Sequence, residues 1–245
     1  MDTPHTQSHT PTERPKTIAC LLAAGSGTRL GGDTPKQFLT VCGKSILEHS
    51  VLAFHLHPLI DEVVVVTRQD YIAEVERLTA PYPKVRHVIA GGRERYHSTL
   101  AALNLYSDDR CRLLFHDCVR PLVTARIITD CVNALSAHTA VGVGVPATAT
   151  IWQTAPDGCI AAIPPRATLF NAQTPQAFHR GTIRRAYDLA LADPSFISTD
   201  DCGVVLRYLP SERIFIVKGD PTNIKVTFKE DLTFVERILG TRQES

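Results

Sequence analysis

Five short runs of aliphatic and β-branched residues, IACLLAA, EVVVVT, VRHVIA, RLLFHD and AVGVGVP, alternate with punctuated segments of helical spacing. Such near-continuous apolar runs mark strands buried on both faces, which is the condition of a parallel sheet. Right-handed crossovers then place helices on both sides of that sheet. The expected fold class is therefore α/β, a single, mostly parallel twisted sheet flanked by helices.

The helices carry their own start signals. Ser45 with Glu48 reads as a capping box opening a helix that buries Leu47, Val51 and Phe54, and Thr227 with Glu230 reads as a second one before Leu232, Val235 and Leu239. Ile127, Ile128, Cys131, Val132 and Leu135 form an amphipathic stripe whose purpose is core packing. One segment, about 147–168, breaks the alternation. There a Pro-Asp-Gly turn lies between two short strand-like runs, which reads as a protruding β-hairpin arm. Its apolar residues Ile151, Trp152, Ile160 and Ile163 have no place in the core, so a second copy of the chain is expected to cover them.

A length of 245 residues with 44% apolar content suits one large domain, expected over 16–245. Residues 1–15, rich in Thr, Pro and His, are expected to form a disordered tail. The net charge is only +1, with both signs interspersed, which excludes a phosphate-tracking surface for nucleic acid. No apolar stretch approaches the roughly 20 residues that span a bilayer, and the opening residues lack the apolar segment of a signal peptide, so a cytoplasmic protein is expected. The 7 cysteines are scattered without a CxxC pair, which argues against a disulfide framework and a zinc site. Cys118 alone lies in a loop of interest, where a bystander thiol is the ordinary expectation.

The first strand runs into AAGSGTRLGGDTPKQFL. A glycine-rich loop at the carboxyl end of a sheet strand lets backbone N–H groups approach phosphate oxygens. Leu30 stands where a dinucleotide fingerprint needs Gly, and the Gly-Lys-Ser/Thr of a Walker loop is absent. Arg29 and Lys36 flank the loop instead. Two fixed cations suit a reaction in which negative charge builds on a triphosphate, although a surface loop with two solvated cations reads equally well from this loop by itself.

The wider pattern decides between them. LLAAGSGTRLGGDTPKQF, GGRERYHST, HDCVRP, AQTPQAF, STDD and GDPTNIKVTFKEDL occur in this order across almost the whole chain, which thereby resembles the 2-C-methyl-D-erythritol 4-phosphate cytidylyltransferases. The resemblance implies a Rossmann-like fold, a homodimer and a reaction on the non-mevalonate route to isoprenoid precursors. In that reaction CMP passes from CTP to 2-C-methyl-D-erythritol 4-phosphate with the help of Mg²⁺ or another divalent cation. It assigns the loop residues Ala23, Ala24, Gly25 and Gly27 to CTP, and Arg29 and Lys36 to the triphosphate and the pentavalent phosphorus. Gly91, Gly92 and Ser98 resemble the cytosine contacts. Asp117, also a candidate metal contact, and Arg120 resemble residues at the junction of the substrates. Arg166, Thr174, Thr199 and Lys225 resemble the set that grips the sugar-alcohol phosphate, Arg166 and Lys225 with catalytic effect. His97 and His116 are expected to be structural.

The chemistry agrees with this division. The attacking oxygen belongs to a phosphate monoester and is anionic already, so neither a protein nucleophile nor a general base is required. The obstacle is the approach of two polyanions; two unit charges ~4 Å apart repel by about 4 kcal/mol at an effective dielectric of 20. Two departures from the family pattern stand out: Ala149, Thr150, Ile151 and Trp152 replace a typical Asp-Thr-Ile-Lys run, and Arg93 stands where an acid is usual. A pentitol phosphate such as ribitol 5-phosphate is the nearest rival acceptor. A non-catalytic nucleotide-binding regulator is a further rival, but it would have no reason to keep Lys36, Arg166 and Lys225 together.

Overall fold

The computed structural model describes residues 14–25 and 34–243. The first half of the chain forms β1 (Thr17–Leu22), β2 (Thr40–Val41), β3 (Lys44–Ser45), α1 (Ile46–His55), β4 (Glu62–Thr67), α2 (Ile72–Thr79), β5 (Val85–Ala90), α3 (Arg95–Leu103) and β6 (Arg112–Asp117). It continues through α4 (Ala125–Ala134), β7 (Ala140–Pro146), β8 (Gln153–Thr154), β9 (Ile160–Ala162), β10 (Phe170–His179), α5 (Arg180–Leu191), α6 (Asp201–Tyr208), β11 (Ile214–Lys218) and α7 (Lys229–Gln243). Seven strands make one sheet in the order β11-β7-β10-β6-β1-β4-β5. All run the same way except β10, which pairs antiparallel with both β6 and β7.

The central strands show why their sequences read as unbroken apolar runs. In β1, Ala19 and Leu21 enter the core under α1, α4 and α7, whereas Ile18, Cys20 and Leu22 enter the core under α3, α5 and α6. Val63 and Val65 of β4 face the first core, and Val64 and Val66 face the second. With both faces dry, neither parity of the strand has room for a polar residue. The stripe from Ile127 to Leu135 is buried as expected, and Thr124 caps its helix by accepting from the Ile127 N–H.

β10 and β11 were not legible as strands. Pro175 interrupts the β10 pattern, and its ladder with β7 shifts between Gln173 and Ala177. Two further expectations need correction. Thr227 does not cap α7 with Glu230; the helix starts later, at Lys229, and the Asp231 carboxylate accepts from the N–H groups of Thr227 and Phe228. Arg14, expected in the tail, lays its guanidinium on Asp61; residues 1–13 lie outside the described residues. The arm is a two-stranded antiparallel pair, β8 with β9, turning at Gly158 with φ +85. Ile151, Trp152, Ile160 and Ile163 on it are exposed, Trp152 by 62%. Among the described residues no helix is long and apolar enough to cross a membrane.

The Ser45–Glu48 capping box forms reciprocally: Glu48 N–H donates to Ser45 Oγ at 3.2 Å and Ser45 N–H donates to Glu48 Oε2 at 2.8 Å. Ser45→Ala should therefore lower stability by about 1 kcal/mol. The expected reading is a lower urea midpoint at an unchanged slope; an unmoved midpoint would mean that α1 is held by packing alone.

Candidate active site

The chain winds outward from β1 through β4 to β5, then returns across β1 to β6. This reversal opens a crevice at the carboxyl ends of the strands, the place where α/β sheets bind ligands. A cleft there is lined by Ala23, Ala24 and Gly25 after β1, Lys36 and Gln37, the 92–95 turn, Ser98, Asp117, Cys118, Val119 and Lys225.

Several contacts shape its floor. Ala23 N–H donates to Val66 O at 2.7 Å, extending β1 by one residue. The Gln37 amide donates to the carbonyls of Ala23 and Gly25 at 3.0 and 3.4 Å, pinning the start of the glycine loop to the turn that carries Lys36. Lys36 is buried along its stem, and its ammonium donates to Val226 O at 2.9 Å. Gly91 sits behind the cleft wall. A Cβ there would lie 2.3 Å from Ser98 Oγ and 3.0 Å from Ala24 Cβ, so only glycine lets the three segments meet.

Asp117 ends β6 and is the electrostatic centre of the cleft. Its Oδ2 accepts from Lys225 Nζ at 2.8 Å and lies 3.8 Å from Arg120 Nε, while its Oδ1 lies 3.4 Å from Arg95 Nε. Burial by itself raises the carboxyl pKa, but Arg95, Lys225 and Arg120 outweigh it and hold the group well below the usual carboxylate range. The backbone beneath it is held by a directional chain. His116 is pushed down to about 4 by burial and is therefore neutral. Its Nε2–H donates to Arg120 O at 3.1 Å, leaving Nδ1 to accept from Thr174 Oγ1 at 2.9 Å; that oxygen in turn accepts from Asp117 N–H at 3.1 Å.

Eight of the expected residues thus line one cleft: Ala23, Ala24, Gly25, Lys36, Gly92, Ser98, Asp117 and Lys225. Others stand elsewhere. Thr174 is buried beneath Asp117, and the Arg120 guanidinium is committed to the carbonyls of Asn223 and Ala172 at 2.9 and 3.4 Å, so both brace the cleft from behind within one chain. Thr199 is exposed just ahead of α6, and Arg166 sits in a single turn where the arm returns, donating to Thr148 O at 3.1 Å. Neither lines the cleft. Gly27 and Arg29 lie outside the described residues. Arg95 was missed, although its segment GGRERYHST had been singled out; nothing local distinguishes it from a solvated helix-opening cation. Its importance comes from Asp117 and from Asp201, 106 residues away in sequence.

Cys118 lines the cleft but is buried, and burial together with the Asp117 charge pushes its thiol up to about 12. It is a packed bystander.

Taken together, fold and cleft define a doubly wound α/β protein whose cleft joins the start of the glycine-rich segment, Ala23–Gly25, to the cations Lys36, Arg95 and Lys225. The profile of the IspD family, 2-C-methyl-D-erythritol 4-phosphate cytidylyltransferase, matches residues 17–241, and the chain belongs to that family. It is 49% identical to 2-C-methyl-D-erythritol 4-phosphate cytidylyltransferase of Thermobifida fusca over 93% of this chain and 95% of that protein. It is also 39% identical to the bifunctional ribulose 5-phosphate reductase/CDP-ribitol pyrophosphorylase Bcs1 of Haemophilus influenzae, over 93% of this chain but 49% of that protein. Among solved structures, 4-diphosphocytidyl-2C-methyl-D-erythritol synthase from Anaerococcus prevotii superposes with a TM-score of 0.82 at 28% identity, covering 92% of this chain and 96% of the other.

The thiol environments predict a labelling order. Iodoacetamide at about pH 8 should modify the exposed Cys159 and spare Cys118 in the native chain. Mass spectrometry showing Cys118 alkylated as fast as Cys159 would contradict the bystander assignment.

Proposed function

We propose that the chain transfers CMP from CTP to 2-C-methyl-D-erythritol 4-phosphate, forming 4-(cytidine 5'-diphospho)-2-C-methyl-D-erythritol and pyrophosphate in isoprenoid precursor synthesis. A phosphate oxygen of the acceptor attacks the α-phosphorus of CTP, and the bond to the oxygen bridging toward the β-phosphorus breaks. The single observation that carries this reading is the meeting, in one cleft at the sheet's switch point, of Ala23–Gly25 at the start of the glycine-rich segment, the anchored Lys36 and the Asp117–Lys225 pair. Nothing in this chemistry asks for a protein nucleophile, and the inert Cys118 fits that.

In this reading Lys36 meets the charge that builds as pyrophosphate leaves, and Lys225 exchanges Asp117 for an incoming phosphate. Gly92 and Ser98 bound the cytosine end. The donor set suits a metal carried in on phosphates. Hard Mg²⁺ takes one or two carboxylates beside phosphate oxygens and water, and Asp117 is an ionised carboxylate at the right edge of the cleft. Asp117 would hold the ion, which when bound neutralises charge on the triphosphate. CTP and soluble sugar phosphates fit a cytoplasmic setting.

The second acceptor reading, a pentitol 5-phosphate, is favoured by one specific observation, the 39% identity to a protein named a CDP-ribitol pyrophosphorylase. Pyrophosphate release from CTP with methylerythritol phosphate and ribitol 5-phosphate side by side decides between them. Methylerythritol phosphate should give the higher kcat/KM by a wide margin; the reverse order would reassign the acceptor. Lys36→Ala should lower kcat by roughly 100- to 1000-fold, as loss of a group that meets transition-state charge does, with little change in KM for the acceptor. Near-normal turnover would remove Lys36 from the reaction.

The arm completes the proposal. Its exposed Trp152, Ile160 and Ile163 are covered by a second copy in a two-fold dimer, and Arg166, absent from its own cleft, reaches the neighbour's. Lys36→Ala chains co-expressed with Arg166→Ala chains should then recover roughly a quarter of wild-type activity, because about half of random dimers are mixed and each holds one intact site. Verified mixed dimers as inactive as their parents would end the shared-site reading.

A further inference from the structure

Asp117 is held by three cations that differ in what else they hold. Arg120 is committed to two backbone carbonyls. Arg95 donates from Nη1 to Asp201 Oδ2 at 2.6 Å. Lys225 is 40% exposed, and its ammonium bonds to Asp117. When polyanionic substrates enter, Lys225 is the cation able to transfer to them. Arg95 is not, because its departure would strand Asp201, which has no exposed surface.

Asp201 is itself built in. Its Oδ1 accepts from the Tyr187 hydroxyl at 2.6 Å, and the N–H groups of Asp201 and Cys202 donate to Gln176 Oε1 at 3.0 and 3.1 Å. Gln176 lies on β10 directly opposite Phe115 of β6, two residues ahead of Asp117. The anchor and the carboxylate therefore hang from one strand pair, and the guanidinium spans the gap between them. The planar fork gives each carboxylate a donor on a different, rigidly placed nitrogen, Nε for Asp117 and Nη1 for Asp201, whereas an ammonium would have to reach both from one atom. Among the described residues its Nη2 is buried without a hydrogen-bond partner.

Resting on the cytidylyltransferase reading, we propose that Arg95 is a positioning residue: anchored by Asp201, it holds Oδ1 of Asp117 so that Oδ2 stays toward the cleft while Lys225 changes partners. Its effect on the reaction passes through Asp117, and Asp201 acts through Arg95 without lining the cleft.

The test compares full-length wild type, Arg95→Lys, Asp201→Asn and the double variant in pyrophosphate release and in calorimetric titration of CTP with and without Mg²⁺. Arg95→Lys should lower kcat by about 10- to 100-fold, as the loss of an outer-shell partner of a ligating carboxylate does. The gain in CTP affinity that Mg²⁺ confers should shrink with it, while metal-free CTP affinity stays within about threefold of wild type. Asp201→Asn should move the same two quantities in the same direction, and the double variant should lose less than the product of the single losses. A lower Tm in both variants with unchanged kcat and unchanged Mg²⁺-dependent gain would reduce the pair to a structural tie and overturn the proposal. Full multiplicativity in the double variant would overturn it equally. Should Arg95→Lys fail to fold, Asp201→Asn alone carries the test, since it leaves the cleft lining intact. A wild-type chain that neither binds CTP nor releases pyrophosphate refutes the cytidylyltransferase reading instead, whereas an active wild type with unaffected variants refutes only the role of Arg95.

Discussion

The register of β1 between its two neighbours is the constraint on which the rest of the molecule depends. Leu22 pairs with Val66 on one side and with Asp117 on the other. That register is set by burial on both faces: a slip by one residue would exchange every side chain of β1 between the two cores, and both are filled. Once it is set, Ala23, Ala24 and Gly25 leave the sheet beside the end of β6, and Asp117 lines the same cleft with no further instruction.

A carboxylate in that position carries its own demands. Burying a charge is unfavourable unless it is paired, and removing one partner of a buried pair typically costs about 3–5 kcal/mol. Asp117 has three cationic neighbours, supplied by α3, by its own loop and by the segment before α7. The same arrangement assembles a positive site in a chain of net charge +1, because the cations come together around an internal anion before any substrate is present. Arg120 and Arg95 are tied down by carbonyls and by Asp201, whereas Lys225 is the more exposed cation on Asp117. Charges fixed in place in this way need little reorganisation when an anion approaches.

The arm stands apart from this economy of burial. Its strands are short, its apolar side chains face outward, and Arg166 spends its guanidinium on the Thr148 carbonyl. Among the described residues, Ile151, Trp152, Ile160 and Ile163 on it remain exposed. Ala149 and Trp152, from the altered run, lie at its base, whereas Arg93, the other departure from the family pattern, lines the cleft.

Local signals in the sequence were enough for the parallel α/β class, the buried valines of β4, the stripe of α4, the Ser45 cap and the Asp157–Gly158 reversal, while the cleft residues from Ala23 to Asp117 were named by the family resemblance of the motifs that hold them. The structural signals rest on spacing within one element, which a linear reading captures. Other features rest on contacts between distant segments and became visible only in the folded chain. Pro175 hid β10, and the strand is recognisable from its pairing with β6 and β7. Thr174 read as a substrate contact; in the folded chain its hydroxyl also donates to His116 and accepts from the Asp117 backbone N–H, contacts that nothing in its own segment announces. Arg95 and Asp201 carried no local mark at all; a buried ion pair across 106 residues is a property of how helices α3 and α6 pack on one face of the sheet. Periodicity and motif order determined the fold class, the family and the outline of the site, because they act over a few residues at a time. Tertiary structure decided which charges meet, because that depends on side-chain distances that no spacing along the chain encodes.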